Sequence, residues 1–285
     1  MNVDQLIEIA LKEDIGDGDH TSIAIFPPEL KGKVKLLSKD TGILAGVLIA
    51  EKVYHHVDPS IEVIKIKNDG DHIIPGDILF EARGNVIPLL SAERVVLNFL
   101  QRLSGIATET HRIVASLEGL HTKVLDTRKT TPGLRELEKY AVRIGGGFNH
   151  RMGLFDMILI KDNHIDFARG ISRAIYMAQD YLRRTGKKMK IEVEIRDFTE
   201  LVDLIQFGHV DRIMLDNFTP DDLSDAVKLI DGRMETEASG GITFENARRY
   251  AESGVDYISI GALTHNFRSL DLSMKAIKRS IFDEN

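Results

Sequence analysis

The chain has 285 residues, room for about two domains of ordinary size or for one α/β barrel with an appendage. Its 43% apolar and 28% charged residues are a globular composition, and the absence of cysteine excludes disulfides, thiolate metal sites and a cysteine nucleophile. A formal net charge of −7 leaves no global positive field for nucleic acid or an anionic membrane, so any anion site has to be local.

The first residues, Met1 to Glu13, interleave Asp4, Glu8 and Glu13 with apolar positions, unlike a signal peptide. No run of about 18 apolar residues occurs anywhere, so a cytoplasmic protein without a membrane span is expected. Leu6, Ile7, Ala10 and Leu11 fall at helical spacing, as do Ile49, Val53 and Val57. Between them, Asp14 to His20 resembles a calcium loop only superficially and reads as a turn with capping carboxylates. Short β-branched runs at Val34–Leu37, Ile61–Lys67 and Ile78–Arg83, punctuated by Asn68-Asp69-Gly70 and Pro75-Gly76, predict a small sheet. A longer helix follows, with Ser91 as N-cap, Glu93 in its first turn and a wide apolar face from Val95 to Ile106.

Beyond about residue 120, apolar strands near 123–125, 157–160, 191–193, 212–215, 235–238 and 257–260 alternate with helical patterns, the mark of a parallel sheet covered by helices. Each strand runs into chemically demanding residues: Asp126-Thr127-Arg128-Lys129, Lys161-Asp162-Asn163-His164, Glu194, Asp216-Asn217, Ser239-Gly240-Gly241 and Gly261-Ala262. All carboxyl ends surround one site in a barrel, whereas a doubly wound sheet loads only its switch point. The expected fold is therefore α/β: an incomplete TIM-like barrel of six or seven parallel strands over residues 108–267. An N-terminal α+β open-sandwich domain is expected over 1–107, joined by a C-terminal helix, 268–285.

The glycine-containing turns Ser239-Gly240-Gly241 and Gly261-Ala262 end the last two strands, where barrels bind phosphate. Glu194 and Asp216 end consecutive strands and suit sugar hydroxyls or water-bound Mg²⁺. Between Asp126 and His164 the local charge is positive. Arg135, Lys139 and Arg143 share one helix face and read as a solvated surface. Arg128, Lys129, Arg151 and Lys161 instead sit at strand ends or in the Gly145–Arg151 loop, placed for a polyanion. Lys161 would also serve as a Schiff-base lysine if it were desolvated, and a silent anion-binding barrel is a further reading.

In order, Glu93-Arg94, Leu103-Ser104-Gly105-Ile106-Ala107-Thr108, Asp126-Thr127-Arg128-Lys129-Thr130-Thr131-Pro132-Gly133, Gly145-Gly146-Gly147-Phe148-Asn149-His150-Arg151, Leu159-Ile160-Lys161-Asp162-Asn163-His164, Glu192-Val193-Glu194, Leu215-Asp216-Asn217 and Ala238-Ser239-Gly240-Gly241-Ile242 closely resemble the quinolinate phosphoribosyltransferases across nearly the whole chain. The resemblance implies transfer of phosphoribosyl from phosphoribosyl pyrophosphate to quinolinate with decarboxylation, giving nicotinate mononucleotide in NAD biosynthesis. A related phosphoribosyltransferase with another acceptor is the alternative.

The resemblance also implies roles. Thr127, Arg128, Arg151 and Lys161, with Lys129 and His150, would hold quinolinate, and Arg94 would reach the site from the neighbouring subunit of a homodimer with shared active sites, able to associate further. Glu194 and Asp216 would serve ribose and Mg²⁺, the metal through water, while Ser239, Gly240, Gly241, Ile260, Gly261 and Ala262 would form the 5′-phosphate cradle. Lys129, His150, Glu194 and Asp216 are the catalytic candidates. Mg²⁺ is expected with phosphoribosyl pyrophosphate; no organic cofactor, nucleic-acid partner or membrane partner is expected.

Overall fold

A computed structural model describes residues 2–208 and 210–277. It divides the chain into two compact units, one of 1–111, 132–146 and 266–285, the other of 112–131 and 147–265.

The first unit is built on a four-stranded antiparallel sheet. Its strands are β1 (Lys31–Ser38), β3 (Glu62–Lys65), β5 (Ile78–Asn85) and β12 (Leu272–Ala276), in the order β12-β1-β5-β3; β2 (Gly42–Ile43) and β4 (His72–Ile73) pair separately. Alternation decides which face is buried: Val34 and Leu36 of β1 turn inward, between more exposed lysines. Helices Val3–Ile15 and Val47–Val57 bury Ile7, Leu11, Val53 and Tyr54. Asp19 caps helix His20–Ile25 by accepting the Ser22 amide at 3.0 Å, so the Asp14–His20 stretch is a capping turn, as its composition suggests. Ser91, expected as the N-cap of the long helix, instead ends a short helix, Val86–Ser91, where its hydroxyl donates to the Ile87 carbonyl; the long helix runs Glu93–Ser116.

Two further expectations are corrected here. The C-terminal segment 268–285 does not form a helix in its described part: Leu272–Ala276 is a strand, paired antiparallel with β1 from Ser38↔Leu272 to Val34↔Ala276, and 278–285 lie outside the described residues. Leu270, Leu272 and Met274 are buried between exposed or half-buried neighbours, a period of two that belongs to a strand. The helix Arg135–Ile144, placed by sequence within 108–267, groups with the first unit, and its basic face is solvated only in part: Arg143 is exposed and Arg135 half-buried, but Lys139 is not. Lys139 is fully buried, Glu138 is buried beneath Arg102, and the Tyr140 hydroxyl donates to Asp69.

The second unit is a six-stranded parallel sheet, β6 (Lys123–Leu125), β7 (Ile158–Ile160), β8 (Ile191–Ile195), β9 (Arg212–Asp216), β10 (Glu235–Ser239) and β11 (Tyr257–Ser259), in the order β6-β11-β10-β9-β8-β7. Among the described residues β6 and β7 do not pair, so the barrel is incomplete, as expected from a region of too few βα units. Phe148 lies on the free edge of β6, in a single parallel bridge to Leu125: its amide donates to the Val124 carbonyl (2.8 Å) and its carbonyl accepts the Asp126 amide (3.1 Å). Among the described residues no helix is long and apolar enough to cross a membrane.

Gly105, inside the long helix, has no room for a side chain: an added Cβ would stand 2.3 Å from the Arg268 carbonyl oxygen. Alanine normally favours a helix over glycine by about 1 kcal/mol, but overpacking against backbone, at about 1–3 kcal/mol, outweighs it. The Gly105→Ala protein should therefore melt several degrees below the parent in a thermal scan.

Candidate active site

The parallel strands of the second unit bring their carboxyl ends to one rim, and most of the residues singled out from sequence stand there. On the cationic side, Asp126 ends β6 fully buried and accepts the His150 amide at 2.9 Å, which pins the segment after Phe148 to the strand. The next residue, Arg151, is half-buried and donates from its guanidinium to the Met157 carbonyl at 3.1 Å. Burial, followed by the positive charge of Arg128, holds the Arg151 pKa below its ordinary value. Two guanidinium groups are thus held near each other in a partly desolvated place. Lys161, at the end of β7, is exposed and ion-paired with Glu194 at 3.0 Å. It is not desolvated as a Schiff-base lysine has to be.

On the acidic side, Glu194 ends β8 with its side chain 12% exposed, and Asp216 ends β9, accepting from the Asn217 side-chain amide at 2.7 Å. Their oxygens are donors of the type Mg²⁺ prefers, on neighbouring strands, so the residue set fits a hydrated divalent ion. Asn217 takes a left-handed φ of 58°, and its amide donates to the Ser239 carbonyl at 2.8 Å. This arrangement makes Gly240 obligatory: its φ is +102°, and an added Cβ would fall 2.1 Å from Asn217 Oδ1. Gly241 follows at φ +62°, open to solvent, before the helix Phe244–Ala251.

The end of β11 completes the rim. The Ile260 amide donates to the Leu125 carbonyl at 2.9 Å, and Ala262 opens the short helix Ala262–His265. Over Gly261 passes the side chain of Lys129, whose Cδ would be 2.9 Å from an added Cβ, with His265 Nε2 at 3.3 Å. The Lys129 carbonyl accepts the Thr264 hydroxyl at 2.9 Å, and the Lys129 amide donates to the Thr127 hydroxyl at 3.0 Å. Lys129 therefore lies against the glycine turn. His265 was not singled out from sequence; one residue beyond the Gly261–Thr264 run, it carries no spacing signal. Arg94 is exposed on the long helix and belongs to the first unit.

Sequence reasoning also passed over what lies below the rim. Glu192 is two residues before Glu194 on β8, Glu237 two before Ser239 on β10, and both are fully buried with His150 and Arg212 close by. Barrel interiors are ordinarily filled by branched apolar side chains. Desolvation raises the pKa of both carboxyl groups, Glu237 to about 8, further helped there by the charge of Glu192. Against the opposing effect of burial, Glu192, Glu237 and Glu235 raise Arg212. The only sequence signal was a charged residue at an inward position of an apolar strand.

A carboxyl group whose pKa rises on folding favours the folded state below its ordinary value, 4.5, and that contribution is lost as pH rises through about 8. Glutamine at 237 cannot ionise. The melting temperature of Glu237→Gln relative to the parent should therefore increase between pH 6 and pH 9; a difference independent of pH would show that Glu237 does not titrate in this range.

Comparison with known proteins gives a consistent result. The family model for the quinolinate phosphoribosyl transferase C-terminal domain matches residues 106–275, and that for its N-terminal domain matches 19–104. A "Probable nicotinate-nucleotide pyrophosphorylase [carboxylating]" of Bacillus subtilis is 46% identical over 274 residues, covering 96% of this chain and 93% of that protein. The chloroplastic nicotinate-nucleotide pyrophosphorylase [carboxylating] of Arabidopsis thaliana is 44% identical, covering 95% of this chain and 81% of that protein. Among solved structures, NadC from Streptococcus pyogenes superposes with a TM-score of 0.91 at 41% identity, covering 96% of this chain and 95% of that one.

Proposed function

The chain belongs to the quinolinate phosphoribosyl transferase family, and on that premise we propose that it transfers the phosphoribosyl group of phosphoribosyl pyrophosphate to the ring nitrogen of quinolinate. Pyrophosphate and CO₂ are released, and nicotinate mononucleotide is formed for NAD synthesis. The observation that carries this reading is the pair of guanidinium groups, Arg128 and Arg151, held close enough for one charge to depress the pKa of the other. Crowded cations in a partly desolvated site are stabilised by a polyanion, and a dicarboxylate offers two carboxylates to them and to Lys161.

The rest of the rim suits the second substrate. Glu194 and Asp216 face the ribose hydroxyls, and the turns at Ser239–Gly241 and Ile260–Ala262 offer backbone N–H groups to the 5′-phosphate. Lys129, lying over Gly261, brings a cation to the phosphoribosyl side. Glu194 and Asp216 would hold Mg²⁺ through water, and the bound ion would supply charge stabilisation to the departing pyrophosphate. The bond from C1′ to the pyrophosphate oxygen breaks as the bond from the ring nitrogen to C1′ forms. The chain's part is to hold the two anions in line, and no protein nucleophile is required. After transfer, the pyridinium stabilises the electron pair left at C2 when the adjacent carboxylate departs as CO₂, and a proton then replaces it. The reading extends to a cytoplasmic homodimer in which Arg94, exposed on its helix, completes the neighbouring subunit's site.

Two measurements test this. Purified protein with Mg²⁺ and phosphoribosyl pyrophosphate should form nicotinate mononucleotide and CO₂ from quinolinate; product from nicotinate would overturn the acceptor assignment. Arg151→Ala should raise KM for quinolinate by about tenfold or more, as loss of a charge-assisted contact implies, with KM for phosphoribosyl pyrophosphate within about twofold of the parent. Equal losses in both would remove Arg151 from the acceptor side.

A further inference from the structure

The ladder between β6 and β11 ends at Leu125, whose carbonyl accepts the Ile260 amide at 2.9 Å. The next residue, Asp126, turns its amide to the Phe148 carbonyl on the other side, at 3.1 Å. The segment Thr127–Lys129 therefore runs beyond the sheet and has to be held by other contacts. One is local: the Lys129 amide donates to the Thr127 hydroxyl at 3.0 Å, two residues away. The other reaches much further, for the Lys129 carbonyl accepts the hydroxyl of Thr264, 135 residues on, at 2.9 Å.

Thr264 is fully buried in the short helix Ala262–His265. A hydroxyl has one proton to give, and two carbonyls compete for this one, Lys129 at 2.9 Å and Gly261 at 3.2 Å. Gly261 already accepts the Thr264 amide at 3.1 Å, so the shorter bond to Lys129 is the one that adds a connection. Its consequence lies directly above. With its backbone fastened to this turn, Lys129 lays its side chain over Gly261, where Cδ would stand 2.9 Å from an added Cβ. A lysine is a point charge on a flexible four-carbon stem, so the place where its backbone is anchored decides which anion it can reach. The strength of that attraction then falls with distance.

We propose that Thr264 is a positioning residue for Lys129: its hydroxyl ties the segment after β6 to the turn after β11, and so sets the Lys129 cation over the turn on the phosphoribosyl side of the site. This rests on the reaction proposed above, in which Lys129 serves phosphoribosyl pyrophosphate. Thr264 is buried and need not touch substrate. Its whole effect on binding passes through the Lys129 side chain, which separates the role from general support of the barrel.

Thr264→Val replaces the hydroxyl by a methyl group of similar shape; Thr264→Ser keeps it. In the full-length protein, with folding checked by circular dichroism, the valine variant should bind phosphoribosyl pyrophosphate with Mg²⁺ about fivefold more weakly in calorimetry without acceptor, as loss of one hydrogen bond implies. Its KM for phosphoribosyl pyrophosphate should rise alike, with KM for quinolinate within about twofold of the parent. The serine variant should recover most of the loss. In a Lys129→Ala background the same valine substitution should change binding by less than about twofold, because a group acting only through another has no effect once the other is gone. Should the valine variant fail to fold, Thr264→Ala replaces it with the same expectations. Unchanged binding in the valine variant, equal losses for both substrates, a serine variant as impaired as the valine one, or a valine effect that persists without the Lys129 side chain overturns the proposal. The calorimetric series separates this from the reaction itself. The expected binding pattern without turnover of quinolinate supports the role of Thr264 and overturns the acceptor assignment, whereas a parent that binds no phosphoribosyl pyrophosphate overturns both.

Discussion

Parallel pairing is the constraint on which the second unit depends. Six strands hydrogen-bonded in one direction deliver six carboxyl ends to the same rim, so residues more than a hundred positions apart, such as Arg128 and Gly261, stand on one circle without any local signal requiring it. The missing closure between β6 and β7 is equally consequential. It leaves an edge on which Phe148 forms a single bridge, and that bridge brings a loop, rather than a seventh strand, to the barrel. A loop can present a backbone amide, an imidazole and a guanidinium within two residues, which the pleat of a strand would send to opposite faces.

Charge is distributed unevenly for a physical reason. The whole chain is acidic, yet the rim is divided into a cationic side, with Arg128, Arg151 and Lys161, and an acidic side, with Glu194 and Asp216; the Lys161–Glu194 pair lies across the division. In the proposed reaction, two anionic substrates would need cations for their carboxylates and phosphates, and acids for the ribose hydroxyls. Beneath them, Glu192, Glu237, His150 and Arg212 form an interior layer whose charges compensate one another. Removing one partner from such a group leaves an uncompensated buried charge, typically at a cost of about 3–5 kcal/mol.

In the first unit, the helix Arg135–Ile144 shows how tertiary context overrides a surface pattern. Arg135, Lys139 and Arg143 fall at i, i+4 and i+8, which in isolation describes a solvated stripe. Glu138 beneath Arg102 and Tyr140 on Asp69 instead fasten the helix to its own unit, and Lys139 is turned inside. The strand Leu272–Ala276 is a milder case. Its alternation was present in the sequence, but it borders a tail whose composition reads as helical, and only β1 offers the edge that decides between the two.

The sequence by itself determined the strand order of the chemistry. Apolar runs ending in Arg128, Lys161, Glu194, Asp216, Ser239 and Gly261 were legible because a buried parallel strand is a continuous apolar word and its functional residue comes at the end. The glycines at 240 and 261 were legible too as strand-end turns, though only Gly240, at a left-handed φ against Asn217, excludes a side chain; over Gly261 lies the flexible Lys129 side chain. Only the tertiary structure decided which of the remaining polar residues face inward. Glu192, Arg212 and Glu237 look like ordinary charges in a strand, and whether such a charge meets water or three partners depends on strand registers such as Glu192↔Arg212 and Glu235↔Arg212. Register is a long-range property, fixed by packing across the sheet, and no local stretch of the chain encodes it.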